Sequence, residues 1–252
     1  MVLRDKAKTF LQHDDQRNLL EDPLVRQRKA EKILAVLRNE ISLPDPKLRL
    51  LDLGCSSGHI LTKLADSIGF GVGADMDISA LVAKHSKIAY TRTDGEKLPF
   101  ASDSFDIVVC NHVYEHTSSA AEMATEIYRV LKNSGVCYLA GPNKYEIMEP
   151  HYRLPFLSWL PSSSANHYVR LFNRGEGYPE KPLPLSQVRV LFQQFAITDY
   201  TAIVLADPEN YWVEDILPPE SAKHWLARFI FKWLRIIFPG FILILKKPQG
   251  KP

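Results

Sequence analysis

The stretch Leu50-Leu51-Asp52-Leu53-Gly54-Cys55-Ser56-Ser57-Gly58-His59-Ile60 constrains this chain more than any other. A short apolar run ends in an acid and two glycines, and apolar residues then recur at helical spacing at Ile60, Leu61, Leu64, Ala65 and Ile68. The pattern predicts a strand, a tight loop and a helix in immediate succession. Gly54 permits backbone angles closed to other residues and lets the main chain approach a ligand. A helix opening near Gly58 would turn unpaired N–H groups and a positive dipole end toward a carboxylate or phosphate. The plain alternative is a strand-to-helix turn with no ligand, because short glycine motifs also occur by chance.

The alternation continues downstream. Residues 69–75 read as a second strand ending in Asp75, about 20 residues beyond the glycine loop, where nucleotide-binding α/β folds carry a ribose-binding carboxylate. Its two oxygens could accept from both ribose hydroxyls. Asp77, at the next helix start, reads as a cap, and a cap is the competing reading of Asp75. A helix over 78–86 and a third strand over 87–92 lead to the turn Thr93-Asp94-Gly95-Glu96-Lys97-Leu98-Pro99-Phe100. The next strand, 105–111, holds the run Val108-Val109-Cys110 that suits a buried parallel strand. Ser118 or Ser119 caps a helix with Met123, Ile127, Val130 and Leu131 on one face, and a fifth strand spans 136–140. Short connections between alternating strands and helices argue for a doubly wound parallel sheet. Ligands in such sheets lie off the carboxyl ends of the strands, where Asn111-His112-Val113-Tyr114-Glu115-His116 falls.

A dinucleotide loop wants three glycines in G-x-G-x-x-G, but Ser56 and His59 replace the second and third. The series Asp52, Gly54, Ser56, Gly58 instead resembles motif I of the class I S-adenosylmethionine-dependent methyltransferases, with Ser56 as a departure. The run Asp94-Gly95-Glu96-Lys97-Leu98-Pro99-Phe100, followed by Ser104-Phe105-Asp106, resembles the type 11 methyltransferases, a group that includes the ubiquinone and menaquinone C-methyltransferases. The resemblance covers roughly residues 48–143. It implies a Rossmann-like class I methyltransferase fold of the α/β class, with a seven-stranded, mostly parallel sheet, an antiparallel last strand and an acceptor cap inserted after strand five. It implies S-adenosyl-L-methionine as cofactor, held by Asp52, Gly54, Cys55, Ser56, Gly58, Asp75, Met76, Asp94, Gly95, Glu96 and Asn111, with Asp94 accepting from the adenine amino group. No metal is expected.

The flanks fill in the rest. At 252 residues the chain suits one domain: an N-terminal helical segment (1–46), a cofactor-binding core (47–143), a cap (144–184) and a C-terminal completion of the sheet (185–252). A short helix is expected over 5–20. Pro23 after Asp22 opens an amphipathic helix reaching about Glu40, which either lids the cofactor or covers a sheet face. Seven of the 17 prolines lie between Pro142 and Pro184, amid Tyr145, Tyr152, Phe156, Trp159, Tyr168, Phe172 and Tyr178; the segment is too apolar for a disordered linker. A helix from Pro184, a strand over 195–204, a helix over 221–238 and an apolar strand over 241–245 complete the chain.

The net charge of +2 gives no argument for nucleic acid. Cys55, Cys110 and Cys137 lack metal-ligand spacing and read as buried thiols in a reducing compartment. The N-terminus lacks a signal peptide's apolar core, and Lys232, Arg235 and Pro239-Gly240 break up the most apolar run, so a cytoplasmic protein is expected.

Methyl transfer to an oxygen, nitrogen or carbon nucleophile of a small or lipid-like acceptor is the reaction implied. An oxygen acceptor calls for a base, and His116, His151 and His112 are the candidates, His116 first. The rival readings are an NAD-linked reductase and a non-catalytic methyltransferase-like interaction protein. The helix over 221–238 places Trp225, Phe229 and Trp233 on one face and His224, Arg228, Lys232 and Arg235 on another. That pattern fits peripheral contact with an anionic membrane; the default for an amphipathic helix is to pack its aromatic face inward.

Overall fold

The computed structural model describes residues 22–248; the helix expected over 5–20 lies outside the described residues. Seven strands form one sheet: β1 (Asp45–Leu53), β2 (Ile68–Asp75), β3 (Ile88–Arg92), β4 (Phe105–Asn111), β5 (Leu131–Pro142), β8 (Ala196–Asp199) and β9 (Gly240–Lys246). The two-residue strands β6 (Met148–Glu149) and β7 (Leu154–Pro155) pair as a separate ribbon. The order in the large sheet is β3-β2-β1-β4-β5-β9-β8. All pairings from β3 to β5 are parallel, and β9 runs antiparallel to both β5 and β8. This is the expected fold, with its chain reversal at β1, where β2 and β4 lie on opposite sides.

Period-two alternation sends side chains to two cores. Ile107 and Val109 of β4 face the cluster with Ile33 and Leu37 of α1 (Pro23–Arg38) and Leu61 and Leu64 of α2 (His59–Leu64). Val108 and Cys110 face the other, with Met123 and Ile127 of α3 (Ala120–Val130) and Val188 of α5 (Leu185–Leu191). Asp22 caps α1 by accepting from Leu24 N–H at 2.8 Å, and Ser119, one of the two expected serines, caps α3 through Glu122 N–H. All three cysteines are buried free thiols.

Several expected elements come out differently. The fifth strand begins at Leu131, which therefore leaves the helix before it. The helix over 78–86 is only a 3₁₀ turn, Ile78–Ala80, because the N–H groups of Val82 and Ala83 both turn to Ser57 O instead of the preceding helical turn. The strand over 195–204 stops at Asp199 and becomes α6 (Thr201–Ala206): Asp199 Oδ1 accepts from Thr201 N–H at 3.0 Å. The helix over 221–238 ends at Trp233 as α7 (Ala222–Trp233), with a 3₁₀ turn at Arg235–Ile237. There Asn143 Nδ2 donates to the carbonyls of Ile236 and Phe238 at 2.7 and 2.9 Å, fastening the segment beyond the helix to the end of β5.

The proline-rich segment after β5 is ordered by its own small core of Tyr152, Leu154, Leu157, Ala165 and Val169, the last two on α4 (Ser162–Leu171). It is fastened to the sheet's carboxyl edge: Lys181 N–H donates to Glu115 O at 2.8 Å, and Leu183 N–H to Tyr114 Oη at 3.2 Å.

Candidate active site

The glycine loop is fixed by close approach. Gly54 has φ +76°, and a Cβ there would lie 2.4 Å from Val113 Cγ2, so the loop after β1 and the segment after β4 touch where only hydrogen fits. Gly58 has φ +81° and packs against Tyr90 Oη. The helix it opens is six residues long, which leaves little macrodipole. Asp75 holds the loop from the next strand: Oδ2 accepts from Ser56 N–H at 2.8 Å and Oδ1 from Asp77 N–H at 2.9 Å. Each oxygen retains a second lone pair for a ligand. Asp77 in turn caps the 3₁₀ turn through Ser79 N–H. Met76, next to Asp75, is half-buried. Cys55 is buried against β2, its Sγ 2.9 Å from where a Gly73 Cβ would stand.

Asp52 is 3% exposed, and its Oδ2 has no hydrogen-bond partner. Burial raises its pKa to about 7; the Arg26 charge opposes the rise and Asp75 adds to it. Arg26 comes from α1, with Nη2 3.4 Å from Ser56 Oγ. Helix α1 therefore covers a sheet face with Ala30, Ile33, Leu34, Val36 and Leu37, and its first turn reaches the glycine loop through Arg26.

The turn after β3 closes the same edge. Asp94 Oδ1 accepts from Glu96 N–H at 3.1 Å, and Gly95, at φ +79°, packs against Leu53 at the end of β1. Glu96 turns its carboxylate away to the start of α3, accepting from Ser118 and Ser119 N–H at 2.5 and 3.0 Å. Asn111 ends β4, half-buried.

Beyond β4 the site changes character. His112 is exposed at φ +59°, and Tyr114–His116 form a 3₁₀ turn. Glu115 is buried, with Oε1 3.5 Å from His112 Nδ1 and 3.8 Å from His116 Nε2, ion-pair contacts too long for good hydrogen bonds. Burial disfavours the Glu115 charge, but these two histidines outweigh it and hold its pKa below the usual range. His116 is pushed down to about 4, chiefly by burial. Its ring lies 6.2 Å, centroid to centroid, from that of His151 in the cap. His151 Nδ1 meets Glu149 Oε1 at 3.0 Å, and Glu149 Oε2 accepts from Tyr152 N–H at 2.6 Å. Burial alone would lower the His151 pKa; the bond to Glu149 and the nearby carboxylates raise it instead. Two further cap acids feel the same crowding: burial first, then neighbouring carboxylates, takes Glu146 up to about 9, and burial takes Glu180 up to about 7.

The three candidate histidines thus gather around Glu115 and the cap, although His151 is 35 residues from His116 in sequence. Sequence reasoning missed Arg26, Val113, Glu146, Glu149 and Glu180. Only Glu149, two residues before His151, offered a local signal. Among the described residues no group of histidine, cysteine and acid side chains could hold a metal ion.

Residues 51–139 match the family model of a methyltransferase domain. The chain is 29% identical over 175 residues to the ubiquinone biosynthesis O-methyltransferase of Rhizobium etli, covering 66% of each protein; it spans just under two thirds of that relative's length. Among solved structures it resembles the YcgJ protein of Bacillus subtilis (TM-score 0.52, 17% identity, 88% of this chain and 99% of that one). It also resembles the plantazolicin methyltransferase BpumL, solved with a monoazolic desmethylPZN analog and SAH (TM-score 0.56, 17% identity, 93% and 88%). Residues 51–139 are thus similar to a methyltransferase domain, and the sheet that carries them has the class I methyltransferase fold.

Proposed function

We propose that this protein is an S-adenosylmethionine-dependent methyltransferase, one domain in which 47–143 binds the cofactor and 144–184 caps the acceptor. The observation that carries the reading is the convergence of Asp52, the Gly54 loop, Asp75 and the Asp94 turn on one sheet edge, with a buried Asp52 oxygen left without a donor. The residues fit a cofactor rich in donors: Asp52, Asp75 and Asp94 present carboxylate oxygens, while Gly54, Cys55, Ser56, Gly58, Gly95 and Glu96 present backbone, and Met76 and Asn111 complete the rim. When bound, S-adenosylmethionine supplies an electrophilic methyl group on its sulfonium.

The chain's own task is to orient the acceptor and take its proton. His151 suits an oxygen acceptor better than His116. Its Nδ1–H donates to Glu149, leaving the Nε2 lone pair for the acceptor's hydroxyl proton. His116, with its pKa near 4, is neutral but a weak base. Glu149 is a positioning residue, itself anchored by Tyr152 N–H. Holding the acceptor oxygen in line with the methyl group supplies most of the remaining advantage.

The relative's name, a ubiquinone biosynthesis O-methyltransferase, supports an oxygen acceptor on a quinone-like, hydrophobic molecule. Among the described residues no helix is long and apolar enough to cross a membrane; a cytoplasmic location belongs to the same reading. Calorimetry with S-adenosylmethionine, S-adenosylhomocysteine and NADH tests the cofactor: the first two should bind and NADH should not. Incubation of tritiated S-adenosylmethionine with membrane extract tests the acceptor. Label should partition into the organic phase, and label confined to the aqueous phase overturns the lipid-like acceptor.

A further inference from the structure

The outward face of α7 has no part in the site described above. Trp225 is 70% exposed, Trp233 65% and Phe229 43%; Leu226 is exposed too, as are Leu234 and Ile236 just beyond the helix. At 3.6 residues per turn Trp225, Leu226, Phe229 and Trp233 share one stripe. That stripe points away from the protein. The opposite side faces inward: His224 is buried, and Ala227, Ile230 and Phe231 are half-buried. His224 locks the rotation, with Nε2 donating to Leu205 O at 2.7 Å and Nδ1 accepting from Glu220 N–H at 3.1 Å. The C-terminal end is locked as well, by Arg235 on Asp199 at 3.0 Å and by Asn143 on the carbonyls of Ile236 and Phe238. Trp225 and Phe229 stack on each other, centroids 5.8 Å apart.

Charge selects the occupant. From Ser221 to the end of the chain there is no acidic residue. Arg235, Lys246 and Lys247 are paired with Asp199, Glu40 and Asp103. Lys223, Arg228 and Lys232 flank the aromatic stripe, exposed and in no ion pair among the described residues; Lys232 lies 5.1 Å from the Trp233 ring centre. A second copy docking through this face would set these cations against their own kind. An anionic bilayer takes both features at once: indole and aliphatic side chains enter the interface while the flanking cations meet the headgroups.

We propose that α7 docks the protein on an anionic lipid surface, with Trp225, Leu226, Phe229 and Trp233 entering the interface between flanking Lys223, Arg228 and Lys232. Asn143 ties the end of this surface to the carboxyl end of β5, where the cap begins and where Tyr145 N–H contacts Asn143 Oδ1. Docking therefore brings the cap's root to the membrane. Its bearing on a lipid-like acceptor rests on the methyltransferase reading; the docking itself does not.

The test is co-sedimentation with vesicles of equal parts phosphatidylglycerol and phosphatidylcholine, against pure phosphatidylcholine, at low and moderate salt. Wild type should pellet with the anionic vesicles, less so as salt rises, and tryptophan emission should shift to the blue. R228Q/K232Q should weaken binding by about fivefold per cation. W225S/F229S/W233S should weaken it by about tenfold or more. Both variants should keep the wild-type far-UV circular dichroism and a single cooperative melt, which shows that they are folded. Wild type left in the supernatant with both vesicles overturns the proposal. So does a dimer by light scattering, without lipid, that the aromatic variant turns into a monomer. Vesicle binding without any shift in melting temperature on adding S-adenosylhomocysteine would leave docking standing and remove the methyltransferase reading.

Discussion

The carboxyl edge of the sheet is built in two ways. On the side of β1, β2 and β3 the site is made of backbone: glycines with positive φ, a carboxylate of Asp75 holding two main-chain N–H groups, and a Gly54 with no room for a methyl group. On the side of β4 and the cap it is made of side chains, with Glu115, His116, Glu149 and His151 brought together from segments distant in the chain. Backbone sites tolerate no change of shape because close packing cannot yield without moving strands. Side-chain clusters tolerate changes of shape but are sensitive to charge, because burial makes each unpaired group costly. Steric substitutions should therefore ruin the first side, and charge substitutions the second.

The largest effect expected is at Gly54. Gly54→Ala places a Cβ against Val113 at a φ that L-residues rarely adopt, so affinity for S-adenosylhomocysteine by calorimetry should fall by about a hundredfold or more, roughly 3 kcal/mol. Adding Val113→Ala should restore only part, because the backbone strain remains. Native affinity in the single variant would break the contrast.

His151→Ala should lower turnover by about 10²–10⁴-fold with cofactor affinity unchanged. Activity should rise with pH through a value above the ordinary histidine range, because the Glu149 bond raises the His151 pKa and the base must be neutral to act. Glu149→Gln removes that support, so the profile should move to lower pH. An unmoved profile would make Glu149 a packing residue only.

Asp52 joins the two logics, since it is a charge within the backbone-built half. Its folded-state pKa is raised, chiefly by burial, to about 7, well above that of the unfolded chain. Its contribution to stability is therefore full at low pH and is lost as pH rises through about 7. Urea unfolding of the ligand-free protein at pH 5 and pH 8 should show wild type losing roughly 2–3 kcal/mol more than Asp52→Asn over that interval. Equal losses would mean that Arg26 keeps Asp52 ionised throughout.

The smallest effect is at the α1 cap. Asp22→Ala should cost about 1 kcal/mol in urea unfolding. No loss would show that α1 is held by Arg28, which pairs with Glu214 at 2.6 Å and Asp215 at 3.1 Å.

The two halves were also unequally legible. The bounds of β4, Phe105–Asn111, and the strand-loop-helix at Gly54 follow from local pattern, because a buried parallel strand needs a continuous apolar run and a tight turn needs glycine. The helix expected over 78–86 was lost to Ser57 O, an acceptor that no local window contains. The gathering of His116 and His151, and the acids Glu146, Glu149 and Glu180 around them, was illegible because the cap's fold sets those distances.

By itself the sequence determined the alternation of strands and helices, the glycine loop, the acids at the carboxyl ends of β1, β2 and β3, and an aromatic stripe flanked by cations on one helix. Each depends on neighbours within a few residues. The expected basic stripe did not survive whole, because His224 is buried and Arg235 lies beyond the helix, paired with Asp199. The tertiary structure decided which way that helix faces. Periodicity sets the angle between two stripes, but the rotation of the helix against the fold is set by contacts from elsewhere: Leu205 O on His224, Asp199 on Arg235, and Asn143 on the carbonyls that follow. Those contacts turned the histidine inward and the tryptophans out, against the usual preference for burying the apolar face.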